Sequence, residues 1–223
     1  MIFLTALTAL VAILGISVLS GVMGNTSPSR KSLPKEVKKL ESDMDKWIGE
    51  LVPLNKEELE LFSLTQDKQV LKKGWATTAK GIFTTIYHEP VMAYSYKKFI
   101  GGTPTTNALL YVRTANNEFA YWLRKSGIQL VIDGQIVGEI RNGALYGKKT
   151  KKILAKVKSS PAELLPIQVY DKEVGSVTKA LPSADKTLSP RAFEYVREDM
   201  TKEEELLFLS LATLELVKKS VVK

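Results

Sequence analysis

Leu206 to Val217 places nine apolar side chains within twelve consecutive residues: Leu206, Leu207, Phe208, Leu209, Leu211, Ala212, Leu214, Leu216 and Val217. On a helix they cover most of the circumference. A helix apolar on nearly all sides must be buried on nearly all sides. At ~1.5 Å per residue the run is about 18 Å long, well short of a ~30 Å hydrocarbon core. Glu215 also interrupts it. The run therefore belongs in a protein core, and the rest of the chain has to enclose it. Thr201 and Glu204 form a capping-box pattern at its start. Glu203, Glu204 and Glu205 suit the positive helix end, and Lys218 and Lys219 the negative one.

The material for enclosing it reads as strands. From about Val70 to Leu181, apolar, aromatic or β-branched runs alternate with turn signals. The pattern predicts strands near Gly81–Tyr87, Val91–Tyr96, Ala108–Thr114, Glu118–Arg124, Gly127–Ile132, Gln135–Arg141, Ile153–Lys158, Leu165–Tyr170 and Glu173–Lys179, with Ala192–Val196 as a last one. Turns are expected at Ala115-Asn116-Asn117, Asp133-Gly134 and Asp171-Lys172. Two hairpins echo each other, each with a turn followed by Val-Gly: Val137-Gly138 and Val174-Gly175. A glycine inside a strand marks a bulge, a bend or a close backbone approach. Bends of this kind are what closing a sheet requires.

The other end of the chain differs. No charged side chain precedes Arg30, and Ile2 to Met23 is dominated by Leu, Ala, Val and Ile. As a helix this segment would be about 33 Å long, enough to span a bilayer. The rival is a cleaved signal peptide, with Val18 and Ser20 before Gly21, but the basic n-region is missing. Arg30, Lys31, Lys35, Lys38 and Lys39 follow the segment and none precedes it. The expected topology is a single-pass membrane protein, N-terminus out, domain in the cytoplasm. After a polar linker, Val37, Leu40, Met44, Trp47, Ile48 and Leu51 form one apolar stripe, the mark of an amphipathic helix ending before Pro53. Asn55 and Glu58 make a capping box for a short helix through Leu61 or Phe62. The expected organisation is an anchor at 1–24, a linker at 25–34, a helical segment at 35–64 and a barrel domain at 65–223 with its core helix at 202–219.

The predicted fold is mainly β with α: an antiparallel closed β-barrel around a buried C-terminal hydrophobic helix, preceded by a transmembrane helix and an amphipathic helix. The serial hairpins from Gly81 to Lys179, the strand Ala192–Val196 and the helix Glu203–Val217 resemble the tubby-like fold. Tubby domains, LURP-one-related proteins and phospholipid scramblases share it. The resemblance is architectural and covers roughly Leu59 to Val222. It implies twelve strands, against about ten read here. Scramblases place their membrane segment near the C-terminus, whereas the apolar segment here is N-terminal. The family's phosphoinositide-binding positions do not map onto this sequence.

Chemistry is sparse. There is no cysteine and one histidine, His88. Thiolate sites, disulfides and sites needing two histidines are thereby excluded. His88 and Glu89, adjacent on a strand, would point to opposite faces and make no acid–base pair. Gly147-Lys148-Lys149-Thr150 lacks the earlier glycine and the Ser/Thr position of a phosphate-binding loop. No cofactor, metal site or enzyme activity is expected. The formal charge of +8 favours an anionic partner. The densest positive charge is Lys148, Lys149, Lys151, Lys152, Lys156 and Lys158. On a tethered domain this cluster would hold anionic lipid headgroups. Without Arg or interleaved aromatics it does not read as a nucleic-acid site. The expectation is a membrane-tethered, non-enzymatic binding domain that recognises anionic lipid. The alternative is a scaffold or assembly protein that binds a protein partner through the amphipathic helix, which an exposed Trp47 would support.

Overall fold

The computed structural model describes residues 26–74, 76–103, 105–160, 163–179 and 190–221. Among the described residues twelve strands run in sequence: β1 (Phe62–Lys72), β2 (Thr77–Thr85), β3 (Pro90–Lys98), β4 (Ala108–Thr114), β5 (Glu118–Arg124), β6 (Gly127–Ile132), β7 (Gln135–Arg141), β8 (Ala144–Gly147), β9 (Ile153–Val157), β10 (Leu164–Val169), β11 (Lys172–Thr178) and β12 (Phe193–Val196). Each pairs antiparallel with its neighbour in chain order, in one sheet from β1 to β12. The first and last strands approach each other through the bridge Ser63↔Arg191. Two backbone hydrogen bonds hold this seam: Leu64 N–H to Pro190 O at 2.9 Å and Ala192 N–H to Phe62 O at 2.7 Å. The sheet is thus a nearly closed barrel.

The apolar rod occupies its interior. The helix α3 (Lys202–Val221) buries Leu207, Phe208, Leu211, Ala212, Leu214 and Val217 in one cluster to which all twelve strands contribute. Even its hydroxyl residues Ser210 and Thr213 are fully buried. The Tyr121 hydroxyl lies 2.7 Å from Ser210 O and 2.8 Å from Thr213 Oγ1, so the rod's polar side is matched from β5. The expected cap forms: Thr201 N–H donates to Glu204 Oε2 at 2.8 Å, and Glu204 N–H to Thr201 Oγ1 at 3.2 Å.

Two strands escape the hydrophobicity pattern. β1 carries the polar run Thr65 to Gln69 on a stretch with two register shifts. β8 is four residues long, and its hairpin turn is Asn142-Gly143, with φ of 51° and 75°. That dipeptide is a strong two-residue turn signal. The echoing hairpins share a structural cause. Leu130 pairs with Gly138 and Val131 with Ile136, so Val137 is an extra residue. Ile167 pairs with Gly175 and Gln168 with Glu173, so Val174 is another. Each Val-Gly is a bulge at a bend. A Cβ on Gly138 would lie 2.0 Å from Tyr146 O, and one on Gly175 2.8 Å from the Phe208 ring. The second turn is Tyr170-Asp171, one residue earlier than expected, since Val169 pairs with Lys172.

The amphipathic stripe folds as two helices, α1 (Leu33–Ser42) and α2 (Asp45–Ile48). Both lie outside the barrel. Leu40, Met44, Trp47 and Leu51 pack on Ile82, Ala93, Phe99, Leu109 and Tyr111 of the outer face. Trp47 is 4% exposed, so this stripe is occupied by the chain's own sheet and offers a partner nothing. A 3-10 helix (Lys56–Leu61) follows, and Glu58 Oε2 accepts from Asn55 N–H at 3.0 Å.

The membrane reading is corrected. Among the described residues no helix is long and apolar enough to cross a membrane. The longest, α3, carries charged residues at both ends and is enclosed by strands. Ile2–Met23, on which the transmembrane helix rested, lies outside the described residues. The single-pass topology, the cytoplasmic placement, the membrane as partner and the tethered lipid-recognition function lose their support together.

Candidate functional site

On β5 to β8, side chains alternate between the core and the outside. Tyr121, Leu123, Leu130, Ile140 and Leu145 point inward and are buried. Their neighbours form a row across the outer face, because Trp122 pairs with Gln129, Gln129 with Glu139 and Glu139 with Tyr146. This row floors an open groove of about 830 Å³. Arg30 and Leu33, at the entrance to α1, line it too, as do Lys148 and Lys151 of the β8–β9 turn. Trp122 and Leu33 also pack against the cluster beneath α1 and α2, so the groove begins where that cover ends. Ile136, which also lines it, is 44% exposed.

The groove's electrostatics are one-sided. Among the described residues, Arg30, Arg124, Arg141, Lys148 and Lys151 face one carboxylate, Glu139. Glu139 is held between two guanidiniums: Arg124 Nη2 donates to Oε1 at 3.1 Å, and Arg141 Nη2 to Oε2. The Arg124 guanidinium lies over the Trp122 ring, 4.8 Å from its centroid. Arg30, Lys148 and Lys151 make no ion pair among the described residues. Trp122 Nε1 and Arg124 Nε are buried without an acceptor among the described residues. Buried donors are nearly always paired, so the floor is short of acceptors as well as of negative charge.

The turn at Gly147 explains how two lysines of the expected cluster reach the groove. Lys148 N–H bonds to Val137 O at 2.8 Å and Lys151 N–H to Gly147 O at 3.0 Å, which folds the turn back toward β7. Lys149 and Lys152 sit on the same turn, exposed, but do not line the groove. Lys156 is on β9, opposite Ala144 and Gln168. Lys158 follows β9 and pairs with Glu173 at 3.4 Å. The run is therefore split, and two of its six lysines line the groove. Sequence reading missed Trp122, Arg124, Glu139 and Arg141. The signal available was their placement on outward positions of strands that were themselves legible.

His88 is not on a strand. It lies exposed in the β2–β3 turn at φ 65°, its N–H bonded to Thr85 O at 3.0 Å. Among the described residues no three metal-ligating side chains converge. A second depression of about 430 Å³ opens at the start of α3, lined by polar side chains including Lys56, Asn117, Lys202 and Glu205. Burial pushes the Glu205 carboxyl above its ordinary range.

No protein-family model, curated protein or solved structure matches the chain.

Proposed function

We propose that the domain is a non-catalytic assembly module whose outer-face groove holds an acidic segment of a protein partner. The observation that carries this reading is the charge of the groove, five cations to one carboxylate around Trp122. Arginines over aromatic rings recognise carboxylates with a planar fork of donors. A one-signed cleft also speeds encounter with an oppositely charged partner. The reading is non-catalytic because Glu139, the groove's one carboxylate among the described residues, is already engaged as an acceptor by two guanidiniums. Kinship with the tubby-like fold is the finer part of the proposal. Twelve antiparallel strands in chain order around a hydrophobic helix support it.

The test is titration of the full chain with three labelled peptides, one rich in Asp and Glu, its Asn/Gln counterpart and a Lys-rich one. The acidic peptide alone binds, and more weakly as salt rises. Lys148→Glu with Lys151→Glu, both exposed, weakens binding about tenfold or more. Equal binding of acidic and neutral peptides, or an unchanged affinity in the double variant, overturns the reading.

A further inference from the structure

We infer that the occupant of the groove is an acidic amphipathic helix of the partner, laid on the barrel beside α1. This rests on the reading above and goes further by giving the ligand a shape. Strand addition is ruled out by the ladders. Each of β5, β6, β7 and β8 is hydrogen-bonded to a neighbour on both sides, so no free edge exists for an extended peptide. Anything bound here must lie across the face of the sheet.

The chain itself shows what this face accepts. One step along the sheet, α1 and α2 lie flat on it with Leu40, Met44, Trp47 and Leu51 pointing down. At the edge of that contact, Glu36 reaches out to Lys97 at 3.2 Å. That arrangement puts apolar side chains on the sheet and carboxylates on flanking cations. The groove offers the complement of the same pattern. Trp122 and Ile136 supply apolar surface, Arg30 stands at the α1 side, and Lys148 and Lys151 stand at the other. Four strands side by side measure about 14 Å across, room for one helix of about 10–12 Å diameter. Glu139 shows that a carboxylate fits between Arg124 and Arg141.

The experiment uses the full chain and two acidic peptides of identical composition. In one, Leu recurs at three- and four-residue spacing among Glu residues. In the other, the same residues are reordered so that no helical face carries the Leu side chains. Labelled anisotropy gives affinity and circular dichroism gives the helix gained on binding. The helical design binds at least about tenfold tighter, gains helicity when bound, and loses affinity to Ile136→Asp, a change at an exposed position. Equal affinity for the two peptides, or binding without gain of helix, overturns the helical occupant and leaves acidic recognition standing. Failure of both peptides to bind overturns this inference and the proposed function together.

Discussion

Glu139 is an acceptor already in place between two guanidiniums that an incoming carboxylate would need. Arg124 and Arg141 are thus partly neutralised before any ligand arrives. Removing the charge while keeping the shape frees both forks. Glu139→Gln is expected to tighten binding of an acidic peptide by about tenfold or more, since a charge-assisted hydrogen bond contributes roughly 1.5–3 kcal/mol. A general gain of positive charge would act in the same direction, so the comparison is Glu118→Gln. Glu118 is on the same strand as Trp122 but serves Tyr111 Oη at 2.6 Å and Arg113 Nη1 at 3.0 Å. Calorimetric titration of both variants decides the matter, and equal tightening would remove the special role of Glu139.

Among the elements, α3 shows how an end can hold a rod in place. Glu204 accepts from the Thr201 N–H and lies 3.6 Å from Lys172 Nζ on β11. The backbone bond first, then the Thr201 and Lys172 side chains, hold its carboxyl below the usual 4.5, outweighing the opposing effect of burial. A lowered folded-state value means that the unfolded chain binds the proton more readily. The stabilisation is therefore present above about pH 4.5 and fades as pH falls through the lowered value. Glu204→Gln should reduce the melting temperature at neutral pH and leave it unchanged near pH 2, as thermal scans at both values would show. This cap was legible in the sequence, as were the rod and most strands, because each depends on residues within one helical turn or one alternating run. β1 was not legible, since its polar middle lies on an irregular stretch where burial does not alternate. The helical stripe was read correctly as one face but not as two pieces broken at Met44. The groove could not be read locally. Arg30, Trp122, Glu139 and Lys151 are far apart in sequence, and only the register of four strands, with α1 packed beside them, brings them together. The lysine run attracted notice by density, yet the turn at Gly147 brings only two of its members into the groove.

At the scale of the whole molecule the barrel has one weak line. Neighbouring strands elsewhere share ladders of three to eight pairs, such as the seven between β3 and β4. Across the seam there is an isolated bridge. Aromatic contact reinforces it: Phe62 and Phe193 have ring centroids 5.1 Å apart, and Phe193 meets Phe208 of the rod at 5.2 Å. Amides with few neighbouring ladder bonds open first. The Leu64 and Ala192 amides should therefore exchange with deuterium well before those of Tyr94 and Val112, and equal protection would show the seam to be as firm as the sheet. The position of α3 in the chain has a further result. On a growing polypeptide every strand emerges before the helix around which all of them close. Until Lys202–Val221 leaves the ribosome, the inward faces of twelve strands have only one another to cover them. Completion of the barrel must await that final helix, and holding chaperones have the whole interval in which to act.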